Sequence, residues 1–255
     1  MNRLLAIDTA GPVLGLALLD HGHIHYTADH AGPLRHVEQI VPRIDAALTH
    51  AGWPLNTVDA MAISAGPGSF TGLRVGMAAA KAVALAGGIP LVSVDTLMAL
   101  AATERYRRER ESPPSTPTPT PAPPSTIIPV LDARKQRVYA AAFRNTTSLD
   151  RLAEDGDLTL EGLREMVRAV RSSADDGSWC APGPMGAYVS MEAGYVAALV
   201  QSGSAAPGTA LVGYSLVHQG LSDTSYHGPF YLRNGDIGAR GSVPRFAPTP
   251  DHREH

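Results

Sequence analysis

Two stretches of this chain follow one pattern. LLAIDTAGPVLGLALL near the start and IIPVLDARKQRVYAAAF after residue 126 each read as an apolar strand, an Asp at its end, a polar turn and a second apolar strand. Such a repeat predicts two related lobes around a cleft, each opening on a strand that ends in a carboxylate. Those carboxylates are Asp8 and Asp132.

Between the copies, residues 112–126 read SPPSTPTPTPAPPST. Proline at this density removes backbone donors and fixes φ, so the segment is expected to be an extended spacer or disordered insertion rather than a packed element. It divides the chain into a first lobe (1–111), the insertion (112–126), a second lobe (127–234) and a tail (235–255) expected to lack structure. The first lobe reads βββαβαβα, with strands at 4–7, 13–19, 24–26, 58–64 and 91–94 and helices at 37–48, 73–86 and 96–110. In the first helix Val37, Ile40, Val41, Ile44 and Leu48 recur at helical spacing. The second lobe is expected to hold strands at 127–131 and 138–143, helices at 160–170, 190–200 and 214–219, and a final strand at 229–232.

Composition narrows the function classes. Hydrophobic residues make up 44% and charged residues 18%, with a net charge of -3. That balance excludes a wholly disordered chain and disfavours charge-driven RNA binding by this chain alone. Residues 75–94 are apolar but carry Lys81, Gly87, Gly88 and Pro90, so they read as helix then strand rather than a membrane span. The apolar run at the N-terminus stops at Asp8, too short for a secretory signal, and the single cysteine, Cys180, excludes an internal disulfide or a multi-cysteine metal site. A cytoplasmic, reducing compartment is the expectation, with Cys180 a bystander.

The richest local motif is GPGSFTGLR, residues 66–74. No Gly-Lys-Ser/Thr ends it, so it is not a P-loop, and Gly68 directly before Ser69 breaks the spacing of a nucleophile elbow. Gly66-x-Gly68-x-x-x-Gly72 is a relaxed dinucleotide fingerprint leading to a strand that ends at Asp95, but it does not lie on the lobe's first strand. The other reading is a glycine turn whose backbone packs closely. Gly72, Gly76, Ala80 and Ala84 then recur every four residues, a bare ridge suited to a close helix contact, internal or between subunits.

Asp8 and Asp132 stand where duplicated phosphate-binding folds place Mg²⁺-linked carboxylates, yet Asp also caps its own turn through the backbone. Thr9-Ala10-Gly11 can offer backbone donors, whereas Ala133-Arg134-Lys135-Gln136 is bulky and lacks glycine. His21, His23 and His25 would share one strand face, but with no convergent carboxylate they read as an exposed hairpin tip. The mixed charges of residues 104–111 read as a solvated helix face.

The segments IDTA, RHVEQIVPRID, DAMAISAGPGSFTGLRVGMAAAKAVALAGGIPLVSVDTLMALA, VLDARKQRVYAA and PFYLR together resemble the TsaB/YeaZ family of bacterial tRNA threonylcarbamoyladenosine proteins. The resemblance is dense over residues 1–100 and thin in the second lobe. It implies a two-lobed, α/β actin/Hsp70/sugar-kinase-like fold with the second lobe reduced. It implies also a non-catalytic subunit that binds and activates TsaD, the subunit transferring threonylcarbamoyl to the adenosine next to the anticodon of ANN-decoding tRNAs. TsaE, an ATPase, is a further implied partner, a homodimer forms when TsaD is absent, and tRNA is reached only through the complex. The catalytic sister carries His-x-x-x-His, two imidazoles one turn apart; here His36 fills the first place and Ile40 the second, so no metal and no cofactor are expected.

The pairing surface implied by the resemblance comprises His36, Ile40, Val41 and Ile44 with Gly66, Pro67, Gly68, Ser69, Phe70, Thr71, Gly72, Arg74, Gly76 and Ala80. Asp8, Thr9 and Asp132 are then vestigial nucleotide-type turns. An ATP-dependent phosphotransferase of the same fold and a dinucleotide-binding oxidoreductase domain are the rival readings.

Overall fold

The computed structural model describes residues 2–31, 36–111, 126–172, 179–182, 198–200, 203–221 and 228–232. The first sheet is built from β1 (Arg3–Asp8), β2 (Val13–Asp20), β3 (His23–Ala31), β4 (Ala60–Gly66) and β5 (Leu91–Asp95), in the order β3-β2-β1-β4-β5. β1 and β2 pair antiparallel, as do β2 and β3, while β4 and β5 run parallel to β1. Three helices belong to this half: α1 (His36–Ala51), α2 (Phe70–Gly87) and α3 (Thr96–Glu111). The expected βββαβαβα order is therefore present.

The second sheet repeats the same plan. β6 (Thr126–Ile127) and β7 (Val130–Asp132) lie end to end along one edge of β8 (Arg137–Asn145), so the single strand expected at 127–131 is interrupted at Ile128-Pro129. On the other edge of β8 runs β9 (Leu149–Thr159), and β10 (Trp179–Pro182) and β11 (Ala198–Val200) continue parallel to β6. Taking β6 and β7 as one strand, both sheets share strand order and strand sense. This is the duplicated actin/Hsp70/sugar-kinase-like fold.

Strand periodicity distributes side chains into layers. Leu5 and Ile7 of β1 face α1 and α2, with Ile40, Ile44, Met77, Ala80 and Ala84, whereas Leu4 and Ala6 face the opposite side. That inner side holds α3 and α5 (Ala206–His218), and on its far side Tyr139, Ala141 and Phe143 of β8 join the same core. Val138, Ala140 and Ala142 of β8 face outward to α4 (Leu160–Ser172) through Leu163, Val167 and Val170. The layers run α1/α2, first sheet, α3/α5, second sheet, α4.

Several sequence expectations change here. The helix expected at 214–219 begins at Ala206, and although it follows residue 127 it packs on the first sheet beside α3. Small residues permit that approach: a β-carbon on Gly208 would collide with the Ala99 carbonyl oxygen. Residues 198–200, expected to close a helix, form a strand, and residues 190–197 of that expected helix lie outside the described residues. β9 was not expected at all. Residues 229–232 form no regular strand; the backbone bond from Phe230 N–H to Ala65 O at 2.6 Å ties them to β4. The proline-rich residues 112–125 and the tail 235–255 also lie outside the described residues.

Candidate partner-docking site

α2 begins three residues earlier than its apolar pattern suggests because Ser69 caps it, its hydroxyl accepting the Gly72 N–H at 3.2 Å. The helix then divides into two faces. Gly72, Leu73, Gly76, Met77, Ala80 and Ala84 are buried, and the bare ridge seats on the turn after β1: a β-carbon on Gly76 would collide with Thr9 Oγ1, and one on Gly72 with the Thr9 carbonyl. Ser69 N–H donates to Ala10 O at 2.8 Å, closing the contact. The ridge is therefore an internal seam.

This corrects much of the expected pairing surface. Gly72, Gly76 and Ala80 are covered by the chain itself, Ile40 and Ile44 point into the core between α1 and the first sheet, Gly66 is buried against the backbone of Phe230, and Pro67 is buried. A side chain already packed inside the fold cannot meet a partner. Gly68 and Ser69 are half-buried, and Val41, Phe70, Thr71 and Arg74 are exposed. His36 opens α1, but its side chain is outside the described part.

The outward face of α2 carries Phe70, Arg74, Ala78, Ala82 and Leu85, with Val41 on the neighbouring α1. Val41, Phe70 and Leu85 are the large hydrophobic side chains left exposed among the described residues, at 51%, 46% and 73%. All three lie on these two adjacent helices. Leu85, Ala78 and Ala82 are absent from the surface expected from sequence because the Gly72, Gly76, Ala80 ridge marks the opposite phase of the helix; the Phe70, Arg74, Ala78, Ala82 spacing is the signal that identifies the outer face.

The carboxylates of the two turns have local roles. Asp8 is buried and accepts from Ala10 N–H at 3.1 Å and from Ala205 N–H at 2.6 Å, at the start of α5. Burial raises its carboxyl above the ordinary range, opposed by those two amides and by the Ser64 hydroxyl. Asp132 is exposed and repeats the first contact, accepting from Arg134 N–H at 2.7 Å. Both are Asx turns. Thr9 Oγ1 is buried without a hydrogen-bond partner among the described residues, against α2 rather than toward an opening.

Other charged groups settle elsewhere. Glu104, expected on a solvated face, is fully buried and held by Arg107 at 3.0 Å and by Arg108. Asp95 caps α3 through Met98 N–H at 2.7 Å and pairs with Arg151 at 3.0 Å, and Arg151 also pairs with Asp155 on β9. Burial and the neighbouring Asp95 push the Asp155 carboxyl up to about 8. His21 pairs with Asp20 at the hairpin turn, and His25 stacks on Trp53 at 5.5 Å. No described helix is long and apolar enough to cross a membrane.

Residues 33–162, from α1 into α4, match the family described as TsaD: tRNA N6-adenosine threonylcarbamoyltransferase. The chain belongs to this family. The tRNA threonylcarbamoyladenosine biosynthesis protein TsaB of Escherichia coli K12 is 38% identical over 142 residues, 56% of this chain and 55% of that protein. TsaB of Haemophilus influenzae is 36% identical over 53% of this chain and 51% of its own. The chain thus spans about half the length of the curated relatives it matches. A Pseudomonas aeruginosa crystal structure, described as having similarity to the peptidase YeaZ, superposes with a TM-score of 0.73 at 26% identity, covering 91% of this chain and 100% of that one. The TsaB/YeaZ likeness read from the motifs extends to the fold of this TsaD-family chain.

Proposed function

We propose that this chain is a non-catalytic subunit of the machinery that forms threonylcarbamoyladenosine in tRNA, and that it docks a TsaD-type transferase on the outer face of α1 and α2. The observation that carries the reading is that, among the described residues, the exposed large hydrophobics Val41, Phe70 and Leu85 all lie on those two helices, in a chain with relatives named TsaB. The occupant shares ancestry with this chain, so two related helix pairs meet, and a second copy takes the same face when the transferase is absent. TsaE joins the assembly, tRNA is reached through the complex, and the work is cytoplasmic.

Two features support a scaffold over a catalyst. Ile40, at the place of the second imidazole in the His-x-x-x-His of the catalytic sister, is a core side chain at 1% exposure. Both carboxylate oxygens of Asp8 already accept backbone N–H groups, which disfavours the phosphotransferase reading. Threonylcarbamoyl transfer to unmodified tRNA by the transferase, with the adenylate-forming enzyme and TsaE present, should depend on this chain and fail with Val41→Asp and Leu85→Asp together. Transfer indifferent to the chain overturns the proposal, as does tight Mg-ATP binding by the isolated chain in calorimetry.

A further inference from the structure

On the docking face one cation is held in place before any partner arrives. The Arg74 guanidinium lies 4.0 Å over the Phe70 ring, and its Nε donates to Tyr231 Oη at 3.3 Å. Phe70 and Tyr231 in turn pack with ring centroids 5.1 Å apart. Arg74 is exposed, and no described carboxylate pairs with it. A free arginine pays for immobilisation when it binds; one already pinned on its flat face and at Nε does not.

Tyr231 is brought there by a contact between remote parts of the chain. Phe230 N–H bonds Ala65 O, Leu232 packs on the inner core, and Gly66 has φ +128 with no room for a β-carbon against the Phe230 carbonyl. The backbone of residues 229–232 thus sits directly on the glycine turn, 157 residues from Arg74 in sequence at Tyr231. With Nε engaged, the two terminal nitrogens form the edge left for a carboxylate, which they grip in bidentate fashion.

We infer that Arg74 is a preorganised anchor for a carboxylate on the transferase subunit, and that residues 229–232 are the strap that sets it. This rests on the docking reading above. Phe70 and Ala78 lie one helical turn to either side of Arg74 on the outward face of α2, so on this helix the guanidinium stands between apolar neighbours and supplies an orientation that they do not.

The test is the affinity of the full chain for the purified transferase subunit, by calorimetry at low and high salt. Arg74→Ala should weaken binding by roughly tenfold or more and flatten the salt dependence. Arg74→Lys should not restore it, since a point charge lacks the planar fork. Tyr231→Phe keeps the ring and removes one hydrogen bond; it should weaken binding by about threefold, and should have no effect when Arg74 is already Ala. Wild-type affinity for Arg74→Ala overturns the anchor, and an undiminished Tyr231→Phe effect in the Arg74→Ala background overturns the strap. If Val41→Asp abolishes binding while Arg74→Ala does not, docking stands and the anchor falls. If both bind as wild type, the docking reading itself falls.

Discussion

Asp8 Oδ2 accepts the backbone N–H of Ala205 at 2.6 Å, across 197 residues of chain. The bond joins the end of β1 to the start of α5, and Ser204 beside it is held by Asp29 through its N–H at 3.0 Å and its hydroxyl at 2.5 Å. A carboxylate positioned like a metal ligand in a phosphate-binding lobe is here used as a helix cap. Asp8→Ala strands the Ala205 N–H in the interior, so it should lower unfolding free energy by about 1–3 kcal/mol. Asp8→Asn should lose less, because its one carbonyl oxygen still serves one of the two amides. Urea midpoints decide it; an unchanged midpoint for Asp8→Ala would show that the cap contributes nothing.

Gly76 and Thr9 make a second test. A β-carbon at residue 76 collides with the Thr9 hydroxyl, so Gly76→Ala overpacks the seam between α2 and the first turn and should destabilise by roughly 1–3 kcal/mol. Thr9→Ala removes both the colliding atom and a buried hydroxyl without a partner among the described residues, and should be mild by itself. The double variant should recover most of the Gly76→Ala loss. Strict additivity of the two changes in a double-mutant cycle would refute the collision.

These positions also show what the sequence made legible. The duplicated lobes could be read because each begins with a period-two apolar run ending in Asp, and both Asp residues form the same turn with the residue two further on. The ridge of Gly72, Gly76, Ala80 and Ala84 was equally visible, but a bare ridge has the same pattern whether its neighbour is another subunit or the turn after β1. Only tertiary placement distinguishes them. β9 stayed hidden because LDRLAEDGDLT is a half-exposed edge strand rich in charge, with no apolar alternation to find. α5 was placed too late in the chain because its first half, APGTAL, is all small or apolar and lacks an amphipathic stripe. The Arg74–Tyr231 contact has no local signature of any kind.

Glu104 was misread for a similar reason: alternating signs near a helix end look solvated, yet this carboxylate is fully buried between Arg107 and Arg108. Its two partners keep 33% and 22% of their side-chain surface, so removing the acid leaves cations that water can still reach. Glu104→Ala should therefore cost about 1–3 kcal/mol, less than breaking a wholly buried pair. Glu104→Gln fills the space and should cost less than Ala. Equal thermal midpoints for wild type and Glu104→Ala would place the group's contribution at zero.

Asp155 and Asp95 share Arg151, and the two carboxyls are close enough for a hydrogen bond between them. One guanidinium cannot neutralise both, and burial adds to the penalty on the second charge, so Asp155 holds its proton up to about pH 8 in the folded chain. Unfolded, it releases that proton near the ordinary carboxylate value of 3.8. Between those values the folded state binds the extra proton, so stability from this group is full below about pH 4 and declines as pH rises toward 8. Asp155→Asn should remove that decline, since an amide donates to Asp95 and accepts from Arg151 without titrating. Thermal midpoints measured from pH 5 to pH 9 should therefore fall more steeply for wild type than for Asp155→Asn, with the variant the more stable of the two at the alkaline end. Parallel curves across that window would mean that Asp155 is ionised throughout and that the Asp95–Arg151 pair alone joins β5 to β9.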